Sequence, residues 1–396
     1  CLVEGDPHRV IEGMVIAGYA TGANQGYIYI RAEYPLAIER IEQAIDTAYE
    51  EGYLGEDILG TGFDFDFGIE QGAGAFVCGE ETALMASIEG QAGRPTPRPP
   101  YPAQSGLNDQ PTTINNVETL SNVPLIIDNG AEWFRQYGTE DSAGTKTFAV
   151  SGDVSATGLM EIPMGLTLEE IIEVAGGMEG DSEFKAVQIG GPSGGCLAEK
   201  HLDMPVTFDS LQEEGAMLGS GGLVVMDDET CMVDVARFFL DFTQDESCGK
   251  CPTCRIGTKK MLDILERITN GEGKPGDIER LRDLGDTITE GSLCGLGKTA
   301  PNPVLSTLEH FEEEYEAHIY DDECPAGECE LGGGSHAGTY KIAAAECVGC
   351  QQCLNACPVD AIDGEQGETH EIDPETCIGC GQCVEACPID AISQRA

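Results

Sequence analysis

The chain has 396 residues, of which 41% are hydrophobic, so it is long enough for two to four domains with cores of their own. Its 21 basic and 71 acidic residues give a formal net charge of -50, which excludes nucleic acid and anionic membranes as partners. The sequence contains no apolar run of membrane-spanning length and no signal peptide. It begins at Cys1, in what reads as the middle of a domain, so we expect a fragment that lacks its true N-terminus.

The acidic residues are spread along the whole chain, which favours the solvated surface of a salt-adapted protein over steering of a basic partner. Eighteen cysteines, half of them in runs with two residues between successive cysteines, predict metal centres rather than disulfides. Such a thiol content is typical of a reducing compartment, so we expect the protein in the cytoplasm.

Helical and strand patterns alternate over residues 1–140, which predicts an α/β domain of the Rossmann-like type that hosts nucleotide cofactors. Apolar residues at helical spacing predict helices over residues 9–21 and 35–51. A short apolar run predicts a strand over residues 26–30, and phenylalanines alternating with aspartates predict another over 63–67.

A glycine-rich segment at residues 71–84 leads into a helix that we expect to start near Gly79. Such a turn lets a flat or phosphorylated ligand approach the backbone, although a plain strand-turn-helix junction has the same pattern. The proline-rich segment at residues 94–102 carries two arginines and Tyr101, and residues 113–120 carry two asparagines before a helix. These two segments support a ligand site; the alternatives are a linker and N-capping.

Residues 141–227 predict a small β-grasp domain. Strand patterns occupy residues 146–150, 186–189 and 222–226, and Thr167 with Glu170 forms a capping box for a helix that ends before two glycines. The glycine-rich turn at residues 190–195 lacks the Lys-Ser/Thr ending of a phosphate-binding loop, so we interpret it as a turn.

Residues 228–320 show four apolar helical patterns, the last over residues 304–315, which predict a four-helix bundle. The connections of this bundle carry one set of thiols spaced for a [4Fe-4S] cluster: Cys248, Cys251, Cys254 and Cys294. The alternatives for this set are a disulfide with two spare thiols and a zinc site.

Residues 340–396 contain the pattern Cys-x2-Cys-x2-Cys-x3-Cys twice, which is the signature of a bacterial ferredoxin domain with two [4Fe-4S] clusters. In this signature the fourth cysteine of each run binds the other cluster. We therefore assign one cluster to Cys347, Cys350, Cys353 and Cys387. The second cluster is assigned to Cys377, Cys380, Cys383 and Cys357, which makes three clusters in the chain.

A further group of metal-binding residues surrounds the linker at residues 321–339. Two thiols and an imidazole within a dozen residues, with a thiol just before the first bundle helix, could form a structural zinc site: Cys231, His318, Cys324 and Cys329. The alternative is that these are unliganded linker cysteines.

Three segments carry a resemblance to a known family: Gly-Thr-Gly-Phe-Asp-Phe at 60–65, Cys-Gly-Glu-Glu-Thr-Ala-Leu at 78–84 and Asn-Asn-Val-Glu-Thr-Leu at 115–120. Together with the cluster motif they resemble the NADH-binding flavoprotein subunit of respiratory complex I and its hydrogenase and formate dehydrogenase relatives. The resemblance implies FMN beneath NAD(H), a ubiquitin-like SLBB module at the β-grasp domain, and a zinc site as in the hydrogenase relatives. The family's glycine-rich FMN phosphate loop would precede Cys1.

The resemblance also implies a set of flavin and nicotinamide contacts, in which Glu80 and Glu81 are the catalytic candidates. Phe76 stands where many members have Tyr, and Tyr101 stands where many have Phe to stack on the adenine. The implied contacts are Phe76, Gly79, Glu80, Glu81, Arg98, Tyr101, Asn115, Asn116 and Thr119.

The function implied is that of an NAD(H):acceptor oxidoreductase (diaphorase) subunit in a soluble hydrogenase, passing electrons between NADH, FMN and the clusters. The ferredoxin tail favours the hydrogenase or formate dehydrogenase branch and would suit electron bifurcation. Implied partners are a catalytic hydrogenase subunit, a small thioredoxin-like [2Fe-2S] subunit and soluble ferredoxin, in a hetero-oligomer. The alternatives are the diaphorase subunit of an NAD-dependent formate dehydrogenase, and an electron-transfer or scaffold subunit that binds no nucleotide.

Overall fold

Helices flank two parallel strands in the N-terminal α/β region of the computed structural model, which describes residues 1–180, 182–329, 331, 340–343, 347–357, 361–373, 376–377, 382–389 and 391–394. The elements of this region are α1 (Leu2–Gly5), α2 (Pro7–Thr21), β1 (Gln25–Arg31), α3 (Pro35–Glu50), β2 (Asp66–Gly72), α4 (Glu81–Ile88), α5 (Val117–Asn129) and α6 (Ala131–Phe134). Strands β1 and β2 pair in parallel along their whole length, from Gln25 opposite Asp66 to Arg31 opposite Gly72.

The two predicted helices and the first predicted strand of this region are confirmed by α2, α3 and β1. Helix α3 begins at a proline, which suits the first helical position because its missing N–H would have no partner there. The apolar residues at its helical spacing are all buried: Ile38, Ile41, Ala44, Ile45 and Ala48. They form one core with residues of β1 and with Phe65.

The predicted strand over residues 63–67 is wrong in its position. Strand β2 begins at Asp66, so of the three phenylalanines Phe67 alone lies in it. Phe65 instead exchanges backbone hydrogen bonds with Gly55 in an isolated antiparallel bridge, at 2.9 and 3.0 Å. The alternation of phenylalanine and aspartate therefore reflects packing of aromatic side chains and not a sheet. The ring centroids of Phe63 and Phe65 are 5.9 Å apart.

The second region is a β-grasp fold. Its elements are β3 (Thr145–Gly152), β4 (Gly158–Pro163), α7 (Leu168–Val174), β5 (Phe184–Ile189), β6 (Gly195–Ala198), α8 (Phe208–Glu213) and β7 (Gly222–Asp227). The strand order is β4-β3-β7-β5-β6, in which β3 and β7 pair in parallel and the other pairs are antiparallel. The predicted capping box of Thr167 and Glu170 is present at α7.

Six helices follow the β-grasp fold: α9 (Met232–Asp245), α10 (Pro252–Thr269), α11 (Asp277–Gly291), α12 (Gly295–Thr299), α13 (Asn302–His310) and α14 (Glu312–Glu316). A π-helical turn, Ala317–Asp321, continues α14. The predicted fourth helix is therefore not continuous. It is interrupted at Phe311, whose φ of -136° and ψ of 33° are not helical, and the three glutamates that follow suit the positive end of a new helix.

The C-terminal region contains short elements: β8 (Tyr340–Ile342), α15 (Gln352–Ala356), β9 (Ile362–Asp363), β10 (Glu371–Ile372), α16 (Gln382–Glu385) and β11 (Ile392–Gln394). Strand β8 pairs antiparallel with β11, and β9 pairs antiparallel with β10. Cysteines and isoleucines share its small core, which includes Cys353, Ile362, Ile372 and Cys383.

Two compact units divide the chain. The first contains residues 1–230, 235–263 and 279–310, and the second contains residues 231–234, 264–278 and 311–396. The predicted helical domain at 228–320 therefore contributes residues to both units. Across the described ranges, no helix has both the length and the apolar character that crossing a membrane requires.

Candidate functional site

Four thiols gather where α10 and α12 begin, in the first unit. Cys248 and Cys251 lie in the loop before α10, Cys254 lies in its first turn, and Cys294 is the N-cap residue of α12. They line a cavity of about 300 Å³ whose apolar wall includes Val77 and Leu296. The loop and the helix start thus place four predicted ligands around one space, as a cubic cluster requires.

The surroundings of these thiols fit an iron–sulfur cluster better than either alternative. None of these four thiols forms a disulfide, which removes that alternative. The zinc alternative requires ligand atoms close enough to bind a single ion. Among the described residues, such close spacing is found at a different group of residues and not among these four thiols. Burial and the neighbouring thiols raise the pKa of Cys254 and Cys294, so a positively charged centre is needed to hold these two residues as thiolates.

Two polar groups lie within hydrogen-bond distance of sulfur atoms of this site. The Leu293 N–H donates to Cys251 Sγ at 3.4 Å, and Ser247 Oγ lies 3.3 Å from Cys254 Sγ. Hydrogen bonds to the sulfurs are one of the means by which a protein sets the reduction potential of a cluster.

A second cavity meets the cluster site at Cys294. It has a volume of about 780 Å³, and its wall contains three of the predicted ligand contacts, one of which is the cation Arg98, and a second cation, Lys298. The residues that line this cavity are Glu80, Pro95, Thr96, Arg98, Tyr101, Leu293, Cys294 and Lys298. We call it the Cys294 cavity. Lys298 was not predicted from the sequence, although its position four residues after Cys294, at the start of a helix, was a usable signal.

Local hydrogen bonds hold the residues of the Cys294 cavity. Glu80 is the N-cap residue of α4, where its Oε2 accepts from the N–H groups of Thr82 and Ala83 at 2.9 and 3.0 Å. The proline-rich segment is fixed by Arg98, which forms an ion pair with Glu81, and by Lys250, which donates to the carbonyl oxygen of Pro95 at 2.5 Å. Because Lys250 lies between two cluster thiols in the sequence, this bond ties the cluster loop to the cavity wall.

Gly79 and Phe76 lie on the short 3-10 turn Phe76–Gly79, just before α4. A Cβ atom at Gly79 would have no neighbour within 4 Å, so this backbone borders open space that a flat ligand could use. The Phe76 ring packs edge-on against Phe242 at 5.4 Å, and the Phe76 N–H donates to Glu246 at 2.9 Å.

The asparagine segment lies in a different place from the Cys294 cavity. Asn115 lines a larger cavity of about 1070 Å³ that also involves Tyr29 and Met85. Asn116 is the N-cap residue of α5, and its side chain accepts from the Glu118 N–H at 2.7 Å. This is the role that the sequence offered as the alternative to a ligand contact. Thr119 is exposed on α5. The structure therefore gathers Glu80, Arg98 and Tyr101 around one cavity and places Asn115 at another.

A tight four-residue site in the second unit matches the predicted zinc ligands. The ligand atoms of Cys231, His318, Cys324 and Cys329 all lie within 4.8 Å of one another. Cys231 Sγ lies 3.6 Å from His318 Nε2 and 3.6 Å from Cys329 Sγ. Zn–S bonds of about 2.3 Å and Zn–N bonds of about 2.0 Å place tetrahedral ligand atoms roughly 3.5–3.8 Å apart, so the donor set fits zinc.

The neighbours of this site orient its ligands. His318 Nδ1 donates to the carbonyl oxygen of Glu314 at 2.7 Å, which leaves Nε2 as a metal ligand. The hydrogen bond from Cys329 lowers the pKa of Cys231 to about 4, and the same contact raises the pKa of Cys329. Burial works against a charged His318, but its hydrogen bonds to Cys231 and Glu314 raise its pKa overall.

The ferredoxin-like region brings together the first predicted set of cluster ligands. Cys347, Cys350, Cys353 and Cys387 line one cavity, about 300 Å³ in volume, with His370. The two halves hold the fourth cysteine of each run alike, because Ala361 N–H donates to Cys357 Sγ at 3.2 Å and Ala391 N–H donates to Cys387 Sγ at 3.3 Å. Of the second set, Cys357, Cys377 and Cys383 lie in the core of this region, and Cys380 lies outside the described residues.

Four family descriptions match successive parts of the chain. They are the Nuo51 FMN-binding domain at residues 1–125, the SLBB domain at 146–225, the NADH-ubiquinone oxidoreductase-F iron-sulfur binding region at 234–318, and the 4Fe-4S dicluster domain at 340–394. This series defines the class as iron–sulfur flavoproteins and confirms the predicted α/β, SLBB and ferredoxin parts.

Whole proteins also match over most of the chain. NADP-reducing hydrogenase subunit HndC of Solidesulfovibrio fructosivorans is 55% identical over 364 residues, which cover 92% of this chain and 73% of HndC. The F 2 subunit of the NADH-quinone oxidoreductase of Rhizobium meliloti (strain 1021) is 47% identical over 325 residues, 82% of this chain and 77% of that protein. The chain therefore belongs to the family of these NADH-binding FMN and [4Fe-4S] flavoprotein subunits, which confirms the resemblance.

A solved structure shows the same fold. The crystal structure of an NAD+-reducing [NiFe]-hydrogenase in the H2-reduced state matches with a TM-score of 0.73 and 37% identity over 80% of this chain. The match covers 53% of that chain, so the present chain corresponds to about half of the solved one.

Proposed function

We propose that this chain is the NAD(H):acceptor oxidoreductase subunit of a multi-subunit hydrogenase, and that it passes electrons between NADH, FMN and [4Fe-4S] clusters. The observation that carries the proposal is that the Cys294 cavity and the cluster site share a ligand thiol. A cofactor in that cavity would lie directly beside the cluster. The hydrogenase assignment draws on the identity with HndC, and the ferredoxin region supports the same assignment.

The residues of the Cys294 cavity fit an anionic cofactor with a flat ring. Arg98 and Lys298 supply positive charge for phosphate, Tyr101 is 55% exposed and supplies an aromatic face, and the backbone at Gly79 is open to close approach. FMN, when bound, supplies the exchange between hydride transfer in electron pairs and single-electron transfer.

We propose that Glu80 and Glu81 hold neighbouring groups in place and do not exchange protons. Glu80 holds the start of α4 through Oε2, and Glu81 holds Arg98 against the cavity. Both carboxylates therefore fix the geometry on which ring stacking and hydride distance depend. The nicotinamide and flavin contacts proposed from the family remain Phe76, Gly79, Glu80, Glu81, Arg98, Tyr101, Asn115, Asn116 and Thr119.

Single electrons would pass through the clusters that the cysteine thiols bind. We assign one [4Fe-4S] cluster to the four thiols at Cys294 and two more to the ferredoxin-like region, which would exchange electrons with a catalytic hydrogenase subunit, a small [2Fe-2S] subunit or soluble ferredoxin. This arrangement suits electron bifurcation in the cytoplasm. The proposed domains are residues 1–140 for FMN and NAD(H), 141–227 for the β-grasp fold, 228–320 for the helical domain, 321–339 for the linker and 340–396 for ferredoxin.

The tight thiol and imidazole site is proposed to hold a structural zinc ion. Support comes from the match between its 3.6 Å spacings and tetrahedral zinc, and from the hydrogen bond that fixes His318 through Nδ1. Its four ligands are all protein groups, which is typical of a structural rather than a catalytic zinc site. Zinc would join the start of α9 to the loop after the π-helical turn.

The test of the main proposal is NADH-dependent dye reduction by the native complex, or by the full-length protein reconstituted with FMN, iron and sulfide. We expect reduction in the unmodified protein. We also expect that Cys294→Ser abolishes electron delivery to acceptors beyond the cluster while NADH still bleaches the flavin. Absence of any NADH-dependent reduction with flavin and clusters shown to be present would refute the diaphorase assignment and favour a scaffold subunit.

A further inference from the structure

The two halves of the ferredoxin-like region differ at one matched position. Cys347 and Cys377 each begin a cysteine run, and the residues seven positions earlier are Tyr340 and His370. The residues that follow also match, since Tyr340-Lys-Ile lies in β8 and His370-Glu-Ile leads into β10. The internal repeat therefore places a phenol in one half where the other half has an imidazole.

The imidazole of His370 lies inside a cluster site. His370 is 1% exposed, and it lines the cavity of Cys347, Cys350, Cys353 and Cys387. Its Nδ1 lies 3.1 Å from the carbonyl oxygen of Glu368. Its Nε2 is also buried and has no hydrogen-bond partner among the described protein atoms.

The fold makes room for this ring. A Cβ atom at Gly364 would lie 2.8 Å from Cγ of His370, so the glycine allows the imidazole to pack against the backbone of the preceding turn. Gly364 has a φ of 153°, which also favours glycine at this position. The ring is therefore held in place on one side and meets the cavity of the four thiols on the other.

A buried polar nitrogen without a hydrogen-bond partner is unfavourable, so this position needs a partner that the cavity supplies. A cluster supplies one, because its sulfide and thiolate sulfurs accept hydrogen bonds. A neutral imidazole carries one N–H hydrogen, and in the tautomer with that hydrogen on Nε2, the nitrogen without a partner among the described protein atoms, the ring donates to a cluster sulfur.

We propose that His370 donates a hydrogen bond from Nε2 to the [4Fe-4S] cluster of Cys347, Cys350, Cys353 and Cys387 and thereby raises its reduction potential. The direction follows from charge, because reduction makes the cluster more negative and an N–H donor stabilises the reduced form more than the oxidised form. The inference rests on the proposed function of this region as a two-cluster ferredoxin.

The test is a redox titration of the full chain with all its clusters, followed by electron paramagnetic resonance. His370→Phe keeps an aromatic ring but removes both nitrogens, so we expect the potential of this cluster to become more negative. His370→Gln keeps an N–H donor, so its shift should be smaller. Tyr340→Phe is the matched control in the other half and should leave this cluster unchanged. Cys350→Ser identifies the signal, because it removes a ligand of the same cluster.

A potential in His370→Phe equal to that of the unmodified protein, at full iron content, would overturn the proposal. If that variant loses the cluster, pulsed electron-nuclear double resonance on the unmodified chain with 15N-labelled histidine decides. We expect a histidine nitrogen and an exchangeable proton coupled to the cluster, and absence of this coupling overturns the inference. Iron content and the cluster signals of the unmodified protein test the ferredoxin assignment separately.

Discussion

Replacement of Cys329 by serine is the sharpest test of the proposed zinc site. Cys329 Sγ lies 3.6 Å from Cys231 Sγ, and two thiolates at that distance repel each other by about 4–5 kcal/mol at an effective dielectric constant of about 20. Without a cation the pair therefore keeps a proton, in agreement with the lowered pKa of Cys231 and the raised pKa of Cys329. Zinc removes this repulsion and allows the thiols to bind as thiolates.

The size of the effect follows from the ligand count. Structural zinc binds with an apparent free energy of about 10–16 kcal/mol, so each of four ligands contributes on average about 3 kcal/mol. Loss of the Cys329 thiolate should therefore weaken zinc binding by roughly two orders of magnitude. Cys231 and His318 are fully buried, so the metal-free site also leaves two polar groups without their charge partner, and the second unit should lose stability.

The assay is elemental analysis of zinc after dialysis against a chelator, combined with thermal unfolding. We expect about one zinc ion per chain in the unmodified protein, and little zinc in Cys329→Ser and in Cys324→Ser. Cys1→Ser is the control, because Cys1 is exposed and belongs to none of the proposed sites. Zinc content in the two variants equal to that of the control would show that the ligands are assigned wrongly.

Three further outcomes are expected. Lys298→Gln should raise the KM for NADH more than it lowers kcat, because it removes a cation from the Cys294 cavity; an unchanged KM in steady-state dye reduction would argue against that cavity as the nucleotide site. Burial raises the pKa of Cys196 to about 12, so its thiol should resist iodoacetamide at pH 8 while the exposed Cys1 reacts. Mass spectrometry of the native protein that found both cysteines labelled would contradict the burial of Cys196. Gly13→Ala should destabilise by about 1–3 kcal/mol, because its Cβ would collide with the carbonyl oxygen of Leu120, whereas Gly5→Ala meets open space; equal melting temperatures for the two variants would contradict the close packing of α2 and α5.

The spacing of apolar residues and the capping residues correctly predicted those helices and strands that depend mainly on local sequence. Helix α3 and the capping box at Thr167 are examples, since burial spacing and side-chain caps are local properties. The strand over residues 63–67 was misplaced because an alternating aromatic pattern arises equally from side chains packed in a core. The continuous fourth helix failed at Phe311, where apolar spacing continues although the backbone leaves the helix.

The grouping of the cysteines was the most predictable part of the candidate sites, because cysteine spacing along the chain reflects the geometry of the metal group that the cysteines are proposed to bind. The grouping of Cys231 with residues nearly a hundred positions away came from counting the thiols that the clusters left over. The walls of the Cys294 cavity were less predictable. Lys298 and Lys250 act there through tertiary proximity, and their own sequence surroundings contain no ligand motif beyond the nearby cysteines.

The net negative charge of the chain affects how the Cys294 cavity could bind an anionic ligand. A protein with a net charge of -50 repels an anionic dinucleotide at long range, so binding requires positive charge close to the site. Three of its 21 basic residues meet this need: Arg98 and Lys298 line the cavity, and Lys250 holds the proline-rich wall. Lys250 is next to Cys251 and Lys298 follows Cys294 by four residues, so the segments that carry the proposed cluster ligands also bring cations to the proposed cofactor site. In the proposed arrangement the cofactor site and the cluster site share these loops, so a substitution in the loops is expected to disturb both.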